Sequence, residues 1–244
     1  YYTALGCDLI IYDNDSDDET ASIIKQYDNA KYILWPGKKR QIDAYNQAIK
    51  EYKTQYKYMM FFDADEFLIA DELLEGKTLF DIIDSIFKAD KLIACLGINW
   101  LIFGSSGLID DPECGVIDAF TNAASDDFEW NQLVKSCVIP YRIVGWVNPH
   151  LPLQAFGLKK VNLDGRKIVQ PRNKLSNRGD IRLYHYFVKN KKHFQEKVDK
   201  GMADRNAKRT MDEFYYYDKN DVSNHKAVDI RNFILLNNNK NGEN

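Results

Sequence analysis

The sequence predicts one α/β domain, in which helices flank a single mixed, mostly parallel central sheet. Short apolar runs at residues 7–12, 32–35 and 58–62 alternate with segments of helical periodicity at residues 20–27 and 42–52. Polar residues follow the end of each apolar run, and the carboxyl ends of strands are where open α/β sheets bind ligands. Strand, helix and strand in this order imply right-handed parallel crossovers.

Length, charge and cysteine content narrow the class of protein. The 244 residues have a formal net charge of −3, which gives no electrostatic footprint for nucleic acid. No apolar run is long enough to span a membrane, and no signal peptide is visible. The four cysteines are scattered, which favours reduced thiols in a cytoplasmic protein over a disulfide framework or a zinc site. We expect at most peripheral contact with the inner face of a membrane.

The first predicted strand, at residues 7–12, ends in an acidic loop. Ser16 and Asp18 are typical of residues that cap a following helix. Asp13 and Asn14 lie directly at the strand end, where they could hydrogen-bond the ribose or base of a ligand. The second predicted strand is followed by basic residues at the start of the helix at residues 42–52. A bound phosphate would relieve this unfavourable charge, although an exposed loop with solvated lysines explains it equally well.

The stretch that organises the chain is the acidic turn after the strand at residues 58–62. Carboxylates at the end of a buried strand are costly unless something positive neutralises them. Alternation places Asp63 and Asp65 on the same side of an extended chain. That arrangement suits Mg²⁺ or Mn²⁺, which prefer oxygen ligands and share them with substrate phosphates. Asp-x-Asp alone is also compatible with a solvated turn.

Later segments complete the predicted domain, which covers residues 1–236. Residues 78–87 form an amphipathic helix, and residues 92–100 form a strand that ends at Trp100, either a core residue or a stacking platform. The glycine-containing turn at residues 103–107 could let its backbone approach a ligand. The basic helix predicted at residues 189–209 is a solvated helix, a lid over a diphosphate, or a contact for an anionic membrane. The Asn-rich tail at residues 237–244 is predicted to be disordered.

Several of these segments, taken in order, carry a resemblance. IYDNDSDDET at residues 11–20 resembles the DDxSxDxT strand end of family 2 glycosyltransferases with the GT-A fold, and FFDADEF at residues 61–67 resembles their metal-binding DxD segment. The combination with a Gln41…Tyr45-Asn46 helix is similar to the family 92 branch. NWLIFGSSG, KSCVIP, NPH and YHY, which begin at residues 99, 135, 148 and 184, resemble its later blocks. The resemblance extends from about residue 6 to about residue 229.

The resemblance implies a GT-A glycosyltransferase that uses Mn²⁺ or Mg²⁺. It would move a hexose, with inversion, from a nucleotide-sugar donor such as a UDP-hexose to a glycan acceptor, which could be lipid-linked. The residues implied for the donor nucleotide are Asp13, Asn14, Gln41, Asp63, Ala64, Asp65 and Lys135. For the metal they are Asp63 and Asp65, joined by a late histidine, His185, with His150 as second candidate. An inverting transfer also needs a carboxylate base, for which Asp118 is the first choice, followed by Asp110 and Asp111.

One departure from the family pattern is visible at the start of the chain. The family fold has a strand and a helix ahead of the Asp-Asn segment, whereas only residues 1–6 precede it here. We therefore expect a truncated chain that lacks the first strand. Two other classes remain open from the residues alone. One is a nucleotidyltransferase on a similar sheet, and the other is a non-catalytic module that binds a sugar nucleotide or a glycan.

Overall fold

The computed structural model describes residues 1–200 and 209–241, with the backbone alone for residues 200 and 238–241. The helices are α1 (Thr20–Ile24), α2 (Gln41–Tyr52), α3 (Leu79–Lys88), α4 (Val116–Ala119), α5 (Lys191–Lys200), α6 (Met211–Tyr217) and α7 (Lys226–Asn241). The strands are β1 (Leu9–Asp13), β2 (Ala30–Leu34), β3 (Met59–Phe61), β4 (Glu66–Ala70), β5 (Ile93–Ile102), β6 (Asn122–Ala123), β7 (Val134–Val138), β8 (Ile143–Trp146), β9 (Pro152–Gln154), β10 (Lys159–Asn162), β11 (Ile181–His185) and β12 (Val222–Ser223).

A six-stranded sheet forms the centre of the molecule, in the order β3-β7-β5-β11-β4, with β10 also paired to β5. Its middle strand, β5, is buried at all ten of its positions. Outside this sheet, β1 and β2 form a parallel pair, while β8 with β9 and β6 with β12 form antiparallel pairs. Helix α3 packs its apolar residues into the core beneath the sheet, as its period predicts.

The predicted α/β fold with a mixed sheet is confirmed, but parallel pairing is less common than the sequence suggests. In the six-stranded sheet β5 pairs in parallel with β10 and β11, whereas β3–β7, β7–β5 and β11–β4 are antiparallel. The predicted central strand, β3, is a short strand that pairs with β7 alone among the described residues. A continuous apolar run indicates burial, and burial does not fix the direction of the neighbouring strand.

Most predicted elements are present with shifted ends. Helices α2 and α3 match the prediction closely, whereas α1 ends at Ile24 rather than residue 27. Of the predicted basic helix, residues 201–208 lie outside the described residues. Helix α7 continues to Asn241, so the predicted start of the disordered tail at residue 237 is too early, and residues 242–244 lie outside the described residues. An established helix can extend into a polar segment because each added residue adds one backbone hydrogen bond.

The turn at residues 103–107 is closed by another segment instead of lying open. The backbone amides of Ser105 and Ser106 donate to the side chains of Asp218 and Asn220, at 2.6 and 2.7 Å. A Cβ atom on Gly104 would lie 2.3 Å from the carbonyl oxygen of Lys219. Gly104 is therefore required because residues 218–220 approach its backbone closely. The amides of Ser105 and Ser106 bond this segment, so the expectation that the backbone of the turn approaches a ligand is not met for these two amides.

Replacing Gly104 with alanine is predicted to destabilise the fold. The new methyl group would clash with backbone, which cannot rotate away, so we expect a loss of about 1–3 kcal/mol in the free energy of unfolding. Gly179→Ala is the matched control, because a Cβ there has no neighbour within 4 Å. Urea unfolding of both variants measures the difference, and equal stabilities would contradict the described packing.

Candidate functional site

The acidic turn lies between β3 and β4, beside the end of β11. Antiparallel pairing sets His185 opposite Glu66, at the point where both strands meet the turn. The backbone amide of Tyr186 donates to the carbonyl oxygen of Asp65 at 2.9 Å, which extends this pairing into the turn. The late histidine therefore comes to the DxD segment because of strand register.

Asp63 is held by a buried lysine, although its own side chain is 36 % exposed. Its Oδ1 lies 2.9 Å from Nζ of Lys135, a side chain that is 1 % exposed on β7. Gln41 at the start of α2 donates to the same oxygen at 2.8 Å, and the Tyr45 hydroxyl lies 3.5 Å from it. Burial lowers the pKa of Lys135, but the carboxylates of Glu66 and Asp63 outweigh it and keep the ammonium charged. Asp63 is thus neutralised within the protein.

Glu66 is a further member of this cluster that the sequence does not single out. It is fully buried, and its Oε2 accepts a hydrogen bond from the backbone amide of Asp63 at 2.9 Å. Nζ of Lys135 lies 3.8 Å from the same oxygen. Burial raises the pKa of Glu66 well above its ordinary range, although Lys135 acts in the opposite direction. Its only sequence signal is its place as the third carboxylate of the turn.

Asp65 faces a different set of groups. Its Oδ1 lies 3.5 Å from Nε2 of His185, and its Oδ2 lies 3.3 Å from Nζ of Lys197 on α5. Burial would raise the pKa of Asp65, but the neighbouring His185 and Lys197 hold it far below its ordinary value. The side chain stays partly accessible, at 19 % exposure, so Asp65 is an ionised carboxylate at the surface of the site.

Asp65 and His185 together fit a divalent cation. The described residues contain no cluster of three or more His, Cys, Asp or Glu side chains that could hold a metal ion. The pair offers one oxygen and one nitrogen ligand, and Mn²⁺ and Mg²⁺ take their remaining ligands from phosphates and water. His185 Nδ1 and Glu66 Oε1 are both buried without a hydrogen-bond partner and face each other at 4.0 Å. A carboxylate behind an imidazole is the usual outer partner of a metal-bound histidine.

His150 is separated from this pair by Trp100. The Trp100 ring lies 4.4 Å from the His185 ring and 5.4 Å from the His150 ring, measured between centroids. His150 Nδ1 lies 2.9 Å from the carbonyl oxygen of Val134. Burial, with Lys135 nearby, lowers the pKa of His150 and favours its neutral form. Trp100 is 7 % exposed, so it forms a wall of the site and no open stacking platform.

Two of the residues predicted to contact the nucleotide, Asp13 and Asn14, make hydrogen bonds that shape their loops. Asp13 accepts hydrogen bonds from the Ser16 amide, the Ser16 hydroxyl and the Tyr32 hydroxyl. Nδ2 of Asn14 donates to the carbonyl oxygens of Trp35 and Gly37, which fastens the loop after β1 to the loop after β2. A cavity of about 390 Å³ lies beside this loop, lined by residues 14–18.

The structure separates the three candidate bases. Asp118 on α4 forms an ion pair with Arg231 on α7, and none of its described hydrogen bonds or ion pairs reaches the acidic turn. Asp110 and Asp111 are exposed ahead of α4, and Asp111 bonds Asn190 and Lys192 at the start of α5.

His193 links Asp111 to the acidic turn. Burial, with Lys189 and Lys197, lowers the pKa of His193 to about 4, and the charges of Asp111 and Asp65 both oppose this shift. His193 therefore lies within electrostatic reach of both carboxylates, and the same helix α5 carries Lys192, which pairs with Asp111, and Lys197, which pairs with Asp65.

Four members of the site have weak signals in the sequence. Tyr45 and Lys197 lie in helical segments, where one polar atom is hard to distinguish from a solvated face, and His193 is a single histidine in a basic run. Glu66, as described above, is hidden among other carboxylates. These four residues can be recognised as members of the site only when the register of β4 and β11 and the positions of α2 and α5 are known.

The α/β fold with its mixed central sheet agrees with the GT-A class of glycosyltransferases, to which this chain is similar. Residues 2–81 match the family model of glycosyl transferase family 2. A glycosyltransferase family 92 protein of Ricinus communis is 27 % identical over 169 residues, which cover 67 % of this chain and 30 % of the relative. A glycosyltransferase family 92 protein of Oryza sativa subsp. japonica is 26 % identical over 168 residues, which cover 67 % of this chain and 28 % of the relative. The predicted resemblance to families 2 and 92 is confirmed, although the match spans less than a third of either relative.

Replacing Lys135 with methionine is predicted to destabilise the protein strongly. The substitution keeps the volume of the side chain but leaves the buried Glu66 and the partly exposed Asp63 without a cation. Removing one partner of a buried pair costs about 3–5 kcal/mol. Glu66→Gln should cost much less, because the raised pKa already favours the neutral acid. Lys167→Met is the control, since this lysine is exposed. Thermal and urea unfolding report the order, and a Lys135 variant as stable as the control would disprove the cluster.

Proposed function

We propose that this chain is a metal-dependent glycosyltransferase that moves a hexose from a nucleotide-diphosphate sugar, first of all a UDP-hexose, to a hydroxyl group of a glycan acceptor with inversion. One observation carries the proposal most directly. The acidic turn is divided between two sets of partners, because Lys135 compensates the charge of Asp63 while ionised Asp65 faces His185 and Lys197. A turn with only a structural role would have no need of an ionised carboxylate beside an imidazole at an accessible surface.

Asp65 and His185 are the residues proposed to hold Mn²⁺ or Mg²⁺, and the imidazole ligand favours Mn²⁺ over the harder Mg²⁺. When bound, such an ion offsets the charge that develops on the leaving nucleoside diphosphate. Asp63 and His150, which the sequence also puts forward, are better suited to supporting roles. Asp63 fixes the turn through its pair with Lys135, and His150 packs against Trp100, which in turn packs against His185.

The nucleotide is proposed to lie along the edge formed by the loops after β1 and β2 and the start of α2. The cavity beside residues 14–18 is acidic, which suits the hydroxyl groups of a ribose better than phosphate. Lys197 is the cation best placed for the diphosphate, because it is 26 % exposed beside Asp65. Lys135 is buried and already paired, so its role is to position Asp63 and, with it, Ala64 and Asp65.

The chemical step needs a base for the acceptor hydroxyl. The acceptor oxygen attacks the anomeric carbon, the bond from that carbon to the phosphate oxygen breaks, and its electron pair leaves with the nucleoside diphosphate. A carboxylate takes the proton of the attacking hydroxyl. Asp111 is the base we propose from its position near His193, ahead of Asp110, while Asp118 is held away by Arg231.

The compartment proposed is the cytoplasm, since Cys95 and Cys137 are buried as free thiols in the core. No helix among the described residues is long and apolar enough to cross a bilayer.

Donor binding is predicted to raise the thermal midpoint in a metal-dependent manner, because a ligand that binds only the native state stabilises it. UDP at about 100 times its Kd with Mn²⁺ should add about 2.7 kcal/mol, and UDP alone should add far less. Asp65→Ala and His185→Ala should abolish the effect of Mn²⁺, and His150→Gln should keep it. A thermal shift assay with a panel of nucleoside diphosphates measures this.

Three outcomes would change the proposal. A metal-dependent shift with another nucleoside diphosphate would keep the class and change the donor. No shift with any of them would contradict the donor site. A shift without any hydrolysis or transfer of the sugar nucleotide would favour a binding module.

Replacing Asp111 and replacing Asp118 are predicted to have different effects on activity and stability. Asp111→Asn should lower the transfer rate by about 10²–10⁴-fold with little change in stability, which is the usual contribution of general base catalysis. Asp118→Asn should keep most of the activity and lower the stability, because it breaks the pair with Arg231. Initial rates with paired unfolding curves distinguish them. Full activity in the Asp111 variant together with inactivity in a folded Asp118 variant would reverse the assignment.

A further inference from the structure

The antiparallel pair β8–β9 has one buried face and one exposed face. Ile143 and Trp146 point inward, and Asn46 of α2 bonds both the amide and the carbonyl group of Trp146, at 2.7 and 3.1 Å. Val144 and Leu153 point outward and are 70 % and 46 % exposed. The hairpin is thus fixed firmly from inside while its outer face is apolar.

We use the name hairpin surface for the exposed residues Tyr141, Val144, Val147, Leu153 and Phe156. Their spacing makes one continuous area. Gly145 pairs with Leu153, which brings Val144 beside Leu153. The amide of Ala155 donates to the carbonyl oxygen of Arg142 at 2.9 Å, which brings Phe156 near Tyr141.

Phe156 protrudes furthest from this surface. It occupies a tight turn closed by a hydrogen bond from the Leu158 amide to the Ala155 carbonyl at 3.2 Å, with Gly157 at a φ of 81°. Its side chain is completely exposed. The backbone of this short, well-defined turn holds the large aromatic ring in solvent. The ring can therefore insert into a non-aqueous environment.

The chain around the hairpin surface is basic in a protein whose net charge is −3. Residues 141–170 contain five Lys or Arg and one acid, Asp164. In the described part of the chain, Lys160, Arg166 and Lys167 have no carboxylate within 4.0 Å. Nζ of Lys160 bonds the carbonyl oxygen of Pro152 at 3.0 Å, which places this ammonium group directly beside β9.

We propose that the hairpin surface docks on the surface of an anionic phospholipid bilayer. Phe156, Val144 and Leu153 would enter the boundary between headgroups and acyl chains, as apolar side chains of interfacial segments do. Lys160, Arg166 and Lys167 would contact lipid phosphates, and each basic residue near such a surface strengthens binding. Protruding apolar residues on a basic stretch of chain match a bilayer in both polarity and charge.

The docked face adjoins the candidate site. The loop from β8 to β9 carries His150, whose ring packs on Trp100. Docking would therefore hold the site close to the membrane, where a lipid-linked acceptor would be presented. That consequence rests on the proposed function, whereas vesicle binding itself requires neither donor nor acceptor and is tested separately.

Vesicle flotation tests the proposal with two lipid compositions, phosphatidylcholine alone and an equal mixture with phosphatidylglycerol. The chain should bind the mixture, bind phosphatidylcholine weakly, and release as salt is raised. Val144→Ser with Phe156→Ser should weaken binding at least about tenfold. Arg166→Gln with Lys167→Gln should weaken it about thirtyfold at low salt. Ile23→Ser, at an exposed position on α1, is the control and should bind like the unmodified chain.

Three results would overturn the proposal. These are absence of binding to the mixed vesicles, equal binding to both compositions, and unchanged binding by both double variants. Self-association in sedimentation experiments that Val144→Ser with Phe156→Ser removes, without vesicle binding, would assign the surface to a second copy of the chain. Thermal unfolding confirms that each variant is folded, and Phe156→Ser alone replaces the double variant if that one is unstable.

Discussion

The buried ammonium group of Lys135 is the interaction on which the rest of the site depends. An acidic turn at the end of an apolar strand places Glu66 where water is excluded, with the partly exposed Asp63 beside it. Such groups are tolerated only when a cation or a proton compensates their charge. Lys135 supplies the cation from the neighbouring β7, and the raised pKa of Glu66 favours a proton there. The turn therefore has one defined conformation.

That conformation determines what the remaining elements do. Asp63 is engaged by Lys135 and Gln41, whereas Asp65 faces the end of β11 and the side chain of His185. Helix α2 contacts two parts of this arrangement. Gln41 hydrogen-bonds the side chain of Asp63, and Asn46 hydrogen-bonds the backbone of the β8–β9 hairpin. Helix α5 then brings Lys197 over Asp65. The ionised Asp65 is therefore left beside His185 and Lys197, with 19 % of its side chain exposed.

The amino-acid sequence was sufficient for the fold class, and insufficient for the contacts that individual side chains make. Apolar runs and helical periods located β5, α2 and α3, because burial and period are local properties of the chain. The direction of β3 and β7 depends on pairing between distant segments, which a local pattern does not encode. The roles of Asp63 and Asp65 could not be distinguished for the same reason, since they follow from which of them meets Lys135. Asp118 looked suitable as a base until its partner, Arg231, was known from the docking of α7.

The most direct test of the divided turn is the electron spin echo modulation spectrum of Mn²⁺ bound to the chain with UDP. The account predicts modulation from a directly coordinated imidazole nitrogen, which is lost in His185→Gln and retained in His150→Gln. Asp63→Asn should keep the nitrogen signal wherever the protein is folded, because Asp63 is engaged by Lys135. Bound Mn²⁺ without a nitrogen ligand, or with a nitrogen signal that survives in His185→Gln, would contradict the account.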